Sequence, residues 1–243
     1  MSHYEKAWQA VRDRVARAAE RAGRDPAEVS LLAVSKTFGA DAVRAVHACG
    51  QRAFGENYVR EAEAKVQALA DLPDIEWRLI GPLQTNKAAP AARVFAAVET
   101  IDRPRIAQRL SAARAATSSA PLDVLVQVNI SNEATKSGVS ADAAAALARD
   151  VARLPALRLR GFMGIAAPDV GTQVQRAQFR ALRRCFDAAR DAGLALDTLS
   201  MGMSADLEAA IAEGSTEVRV GTAIFGTRLP LAAIAAAADR DAY

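Results

Sequence analysis

The chain reads as an α/β protein of the (β/α)8 TIM-barrel class, with an additional helix ahead of the first strand. Three observations carry that expectation. Eight short apolar runs alternate with Ala-, Arg- and Glu-rich stretches of helical spacing along the 243 residues. The runs are near-continuously apolar, as parallel strands covered on both faces must be. Eight such units in roughly 250 residues is the size of one closed barrel. The competing architecture, an open doubly wound sheet holding a dinucleotide, needs a Gly-rich turn after its first strand. The turn here is SKTFGA, without GxGxxG.

The opening stretch is helical. Trp8, Val11 and Val15 fall on one face, with Arg12, Asp13, Arg14 and Arg17 elsewhere. Asp25-Pro26-Ala27-Glu28 has the cap, the Pro and the first-turn acid of a helix start. The strand candidates follow as LLAVSK (31–36), RAFGEN (52–57), WRLIG (77–81), FAAVETI (95–101), DVLVQVNI (123–130), LRLRGFMGI (157–165), DTLSMGM (197–203) and EVRVGTAIFG (217–226). No Pro/Gly/Ser linker divides them, so residues 1–243 are expected to form one domain. SAARAATSSAPLD (111–123) reads as a helix end plus loop, and AAIAAAADRDAY (232–243) as a last helix that frays.

Composition excludes several classes. With 51% hydrophobic residues and net charge +3 the chain is not disordered, and Gly 14, Pro 9 and Cys 2 exclude collagen-like and disulfide-stapled folds. No apolar run nears the roughly 18 residues of a membrane span, so no membrane partner is expected. The start, MSHYEKAWQAVRDR, lacks the apolar core of a secretory signal, and Cys49 and Cys185 stand alone. Together these lead us to expect reduced thiols and a cytoplasmic protein. His3 and His47 are the only histidines, which rules out a His-rich site, and no metal is expected. In RDRVARAAERAGRD and RAQFRALRRCFDAARD the arginines interleave with acids, and aromatics are 5%, so no nucleic acid is expected. Of 31 basic residues only Lys6, Lys36, Lys65, Lys87 and Lys136 are lysines. Where Arg supplies nearly all the positive charge, a Lys in an apolar setting is a candidate for amine chemistry, because an amine forms imines and a guanidinium does not.

In a barrel, chemistry sits at the C-terminal ends of the strands. Lys36 ends the first run on the face of Leu32 and Val34. Partial desolvation there would favour the neutral, nucleophilic amine; the plain alternative is a Lys snorkelling from the rim. Asn57 ends the second run, as a ligand contact or as a helix cap. Gln84 and Asn86, after the Gly81-Pro82 turn, have the same two readings. Met163 in the sixth run reads as core. The seventh and eighth runs end in Met203-Ser204 and in Arg219-Val220-Gly221-Thr222. Barrels often hold phosphate between these two loops, where Ser204, Gly221 and Thr222 offer hydroxyls and close backbone approach. The alternatives are a plain cap at Ser204, opening a helix with Asp206 and Glu208 in its first turns, and a plain turn at Gly221. Arg219 lies between Val218 and Val220 in a buried strand. Its guanidinium needs a partner, either a ligand's ring nitrogen or carboxylate, or an internal acid such as Glu217.

At this point a resemblance joins the residues. AVSKTF, FGENYVREAEAK, WRLIGPLQTNK, NISNEATKSG, LRGFMGI and LSMGMSADLEAAIAEGSTEVRVGTAIFGTR occur in the order found in the pyridoxal 5′-phosphate (PLP) homeostasis proteins, which the chain resembles from about residue 5 to Arg228. These are single-domain relatives of the alanine racemase barrel domain. The resemblance implies a PLP fold-type III-like barrel with no C-terminal β domain. It implies PLP held as a covalent aldimine at Lys36, its phosphate on Ser204, Gly221 and Thr222, its pyridine nitrogen facing Arg219, and Asn57 and Met203 lining it. One departure is visible: Arg78 follows Trp77 where many relatives have His, a position expected near the site rim.

The implied role is intracellular PLP homeostasis, as carrier, buffer or delivery protein, with PLP-dependent apoenzymes as recipients and little or no catalysis. Arg219 can only donate, so the ring nitrogen stays unprotonated and stabilises carbanions weakly. A chain of this length also leaves no room for a racemase's second domain. The alternative is a PLP-dependent amino-acid racemase, lyase or decarboxylase, for which Tyr58 is the nearest second base, although it reads better as a helix-face aromatic. A third reading is an imine-forming aldolase-like barrel acting on a sugar phosphate without PLP. Few aromatics on a polar surface lead us to expect a monomer or weak dimer.

Overall fold

The computed structural model describes residues 2–117, 120–131, 133 and 136–227. Eight strands, β1 (Ser30–Val34), β2 (Ala53–Glu56), β3 (Glu76–Leu79), β4 (Ala97–Ile101), β5 (Leu122–Val128), β6 (Leu157–Gly164), β7 (Thr198–Ser200) and β8 (Glu217–Val220), pair in parallel and in chain order into a closed barrel. The seam closes where β1 lies against β8, with Ser30 opposite Glu217 and Ala33 opposite Val220. Each strand lies on a run the sequence marks as apolar.

The helices α2 (Ala40–Ala48), α3 (Val59–Ala68), α4 (Ala88–Val94), α5 (Pro104–Thr117), α6 (Ala141–Ala152), α7 (Thr172–Asp191), α8 (Leu207–Ala212) and α9 (Thr222–Phe225) follow the strands in turn. Strand alternation divides the core in two. One set of side chains, including Ala33, Phe54, Leu79, Val98, Phe162, Leu199 and Val218, packs outward against the helices in one continuous cluster. The helix α7 meets it with Phe179, Leu182 and Phe186, each contributing about 1.5–3 kcal/mol by leaving water. The other set points into the barrel and includes charged residues, described below.

The expected N-terminal helix, α1 (His3–Arg21), buries Trp8, Val11 and Val15 and is closed at its start by a Ser2–Glu5 capping box. It also reaches the far end of the chain. Arg14 grips the Glu208 carboxylate on α8 and donates through Nη1 to the Ser204 carbonyl at 2.7 Å. The Asp25–Glu28 start signal yields one 3-10 turn, Pro26–Glu28, capped by Asp25 accepting the Ala27 N–H at 2.9 Å. In the loose stretch 111–123, α5 runs to Thr117 and β5 begins at Leu122. The expected terminal helix over 232–243 lies outside the described residues. Among the described residues no helix is long and apolar enough to cross a membrane, and Cys49 and Cys185 are free thiols.

Gly81, after β3, packs directly on the backbone after β2: a Cβ there would lie 2.2 Å from the Asn57 carbonyl oxygen and 2.6 Å from its Cα. Neither atom can yield as a side-chain tip does. Gly81→Ala is therefore expected to cost about 1–3 kcal/mol or more, read as a fall in the melting temperature of roughly 2–4 °C per kcal/mol.

Candidate functional site

A cavity of about 480 Å³ opens at the C-terminal ends of the strands. The seven residues that the resemblance assigns to the ligand all line it: Lys36, Asn57, Met203, Ser204, Arg219, Gly221 and Thr222. They come from the ends of β1, β2, β7 and β8, so the site straddles the barrel seam.

Lys36 stands two residues beyond β1, and Val34 shares its face of the cavity. Ser35 points the other way, fully buried, its Oγ donating to Glu56 Oε1 at 2.6 Å. Thr37 takes a left-handed conformation (φ 70°), which costs a β-branched residue about 1–3 kcal/mol. Its N–H donates to Glu61 Oε1 at 2.6 Å. Lys65, buried on α3, donates to the Ser35 carbonyl, Glu56 Oε1 and Glu61 Oε1 at 2.8, 2.6 and 2.8 Å. The residues on both sides of Lys36 are thus tied to α3, which fixes where the Lys36 backbone starts. Burial pushes the Glu56 carboxyl above its ordinary pKa, and the charge of Lys65 only partly offsets this.

Asn57 is not a cap: Tyr58 occupies the cap position of α3, makes no side-chain cap bond and is 61% exposed. Tyr58 does not line the cavity. Ser204 does not open a helix either. The helix α8 starts at Leu207, with Asp206 at the cap, because the Asp206 carboxylate turns back to accept the Met203 N–H at 2.6 Å. Ser204 is left in the turn, facing the cavity. Gly221 precedes α9, and a Cβ there would come within 3.1 Å of the Val34 carbonyl oxygen, so glycine gives β8 its close approach to the end of β1 without a tight contact. Gln84 and Asn86 sit around the Thr85–Lys87 turn, off the cavity, and Met163 is core.

Arg219 is 3% exposed. Its Nη1 donates to Ser200 Oγ at 2.7 Å and its Nη2 to the Gly164 carbonyl at 2.9 Å, which aims the rest of the guanidinium at the cavity. It makes no direct salt bridge to Glu217; that acid is taken by Arg78. Burial lowers the Arg219 pKa, opposed by the charges of Glu99, Glu217 and Asp206. Arg78 is not near the site rim as expected. It does not line the cavity but points into the barrel toward its N-terminal end, contacting Glu217 and bonding Glu76 at 2.8 Å. Burial disfavours its charge, but Glu217, Glu99 and Glu76 together hold its pKa above the ordinary value.

The sequence reading missed Gln127, Asn129, Lys136 and Ser137, which form the wall opposite the seam. A signal existed for two of them. In DVLVQVNI, Gln127 and Asn129 are two apart, the spacing of one strand face, so both point into the barrel.

The site therefore offers an amine, a ring of hydroxyls and small residues suited to an anion, and a buried guanidinium, all on the catalytic end of a parallel barrel. That combination defines a (β/α)8-barrel ligand-binding protein of the alanine racemase barrel type: residues 7–229 match the family model "Alanine racemase, N-terminal domain". The chain belongs to that family and, within it, to the pyridoxal phosphate homeostasis proteins. It is 55% identical to the protein of that name from Pseudomonas aeruginosa, over 88% of this chain and 91% of the relative. The match to the Escherichia coli protein of the same name is 49%, over 90% and 94%. Among solved structures it resembles PipY of Synechococcus elongatus with PLP bound, at 35% identity and TM-score 0.77, covering 87% of this chain and all of that one. A Clostridium difficile alanine racemase, 14% identical with TM-score 0.71, shares the fold over 93% of this chain and 58% of its own.

Proposed function

We propose that this protein is a cytoplasmic, single-domain carrier of pyridoxal 5′-phosphate that takes part in PLP homeostasis. The observation that carries the reading is the convergence of Lys36, Arg219 and the Ser204–Gly221–Thr222 cradle on one cavity across the seam. The names of the relatives and the PLP in the PipY structure support it.

The residues fit the cofactor. When bound, PLP supplies an aldehyde that condenses with amines and a ring that withdraws electrons. Lys36 would provide the amine that meets this aldehyde. The hydroxyls of Ser204 and Thr222 and the backbone at Gly221 hold the phosphate. Asn57 and Met203 would line the ring, and the spare donors of Arg219 would serve its nitrogen. Because a guanidinium cannot accept a proton, it holds that nitrogen unprotonated and leaves the ring a weak electron sink. The chain's own chemistry thus favours holding and releasing PLP, to PLP-dependent apoenzymes as recipients, over transforming amino acids.

The test is an absorbance titration of the purified protein with PLP, followed by borohydride reduction and peptide mapping, beside a solvent-deuterium exchange assay on a panel of amino acids. A reducible adduct at Lys36 without rapid α-carbon exchange is the expected result. Rapid exchange with any amino acid would replace the carrier reading with an enzymatic one.

A further inference from the structure

Beneath the cavity the barrel is filled with charge where bulky apolar side chains are usual. Arg78 enters from β3, Glu99 from β4, Ser200 from β7, and Glu217 and Arg219 from β8; Glu99 and Ser200 are wholly buried and Glu217 is 1% exposed. The bonds run in one direction. Arg219 Nη1 donates to Ser200 Oγ at 2.7 Å, and Ser200 Oγ donates to Glu99 Oε2 at 2.7 Å. At the other end Arg78 contacts Glu217 Oε2 and comes to 4.0 Å from Glu99 Oε1. Ser30 Oγ lies 3.5 Å from Glu217 Oε2, Glu76 holds the far side of Arg78, and the charge of Asp206 reaches Arg219.

Within this cluster two buried oxygens are left without a donor, Glu99 Oε1 and Glu217 Oε1. A single nitrogen, Arg78 Nη1, brings the two carboxyls together: it contacts Glu217 Oε2 and lies 4.0 Å from Glu99 Oε1. Two bare carboxylates cannot face each other out of water, and a single proton between them satisfies both orphaned oxygens. Burial first, and then the charge of Glu217, push the Glu99 carboxyl up to about 8, in spite of Arg219 and Arg78.

We propose that Glu99 and Glu217 share one proton, and that this pair is the positioning unit for Arg219, acting through Ser200 on the guanidinium that faces the ligand's ring. The ligand half of this inference rests on the reading of Arg219 as the ring-nitrogen donor. With the proton in place, Glu99 is neutral, accepts from Ser200 and donates to Glu217. When the proton leaves, a second negative charge appears two hydrogen bonds behind Arg219. The positive potential at the ring falls, and protonation of the bound ligand becomes easier.

Two measurements test this, one of them free of ligand. In the apo protein labelled with 13C at glutamate carboxyls, one resonance is expected to titrate with a midpoint near 8 and to be missing in Glu99→Gln, whose amide reproduces the protonated form. In the PLP-loaded protein the visible absorbance is expected to show a step at the same pH, lost in Glu99→Gln. Ser200→Ala is expected to keep the apo titration and lose the absorbance step, which separates the relay from the pair if Glu99→Gln does not fold. Absence of an elevated glutamate titration that disappears in Glu99→Gln overturns the shared proton. An elevated titration with PLP bound but no absorbance step in the parent protein overturns the coupling to Arg219. No PLP spectrum at any pH overturns the carrier reading and the coupling with it, while the apo titration still decides the shared proton.

Discussion

Lys36→Ala is expected to lose the borohydride-fixable PLP adduct completely, together with the visible absorbance of the bound cofactor. The other four lysines do not replace it. Lys65 is buried, its amine engaged by Glu56, Glu61 and the Ser35 carbonyl. Lys136 lines the cavity, but from the loop after β5, where it pairs with Glu133 at 2.8 Å, and Lys6 and Lys87 lie off the cavity. Lys36→Arg keeps the positive charge and cannot form an imine, so it is expected to match the Ala variant in the trapping experiment. Non-covalent retention of PLP in both, through Ser204, Gly221, Thr222 and Arg219, would be seen by equilibrium dialysis. An adduct surviving on another lysine in Lys36→Ala would remove Lys36 from the assignment.

Lys65→Met is expected to cost about 3–5 kcal/mol of stability, because it leaves Glu56 buried with an uncompensated charge. For a chain of this size that lowers the melting temperature by roughly 6–20 °C. The sign of its pH dependence follows from the raised Glu56 pKa. An acid whose pKa is higher folded than unfolded binds its proton preferentially in the fold. Its contribution is full below the unfolded pKa and is lost as pH rises through the folded one. Removing Lys65 enlarges that rise, so the deficit is greatest at neutral and alkaline pH and shrinks on acidification. The double change Lys65→Met with Glu56→Gln removes the bare charge and is expected to recover part of the loss. A Lys65→Met protein as stable as the parent at pH 8 in thermal denaturation would refute this account. The same change removes the bond to the Ser35 carbonyl and the amine that holds Glu61 beside the Thr37 N–H, so it is also expected to slow adduct formation at Lys36.

Much of the fold was legible because a strand covered on both faces carries its apolar signal without interruption. LLAVS, VLVQV and EVRV needed no knowledge of their neighbours. The seven side chains that meet in the cavity were legible for a related reason: in a parallel barrel all strand ends face one way, so residues at those ends converge. What the sequence hid is what depends on contact. Lys65 follows Ala62 on the buried face of α3, a position that looks like an error in an amphipathic helix until Glu56 and the Ser35 carbonyl are seen beside it. The start of α8 was misplaced at Ser204 because Asp206 spends its carboxylate on Met203, a choice invisible in residue type. Arg78, the departure from the family's His, was expected near the site rim. Alternation with Ile80, a cavity residue, had already put it inside the barrel.

The seam between β1 and β8 has a consequence for how the protein is made. Val34 and Lys36 lie at and just beyond the end of the first strand of the ring, and Arg219, Gly221 and Thr222 at and just beyond the end of the last, so half the cavity does not exist until nearly all of the described chain has been synthesised. Until then the open ring exposes the unpaired edge of β1, a template for wrong pairing. Once closed, a molecule held across the seam is a latch: it binds only the closed ring, so the ring opens there more rarely by mass action in proportion to occupancy. A nascent barrel of this kind is blind to its ligand through most of its synthesis and senses it only on completion.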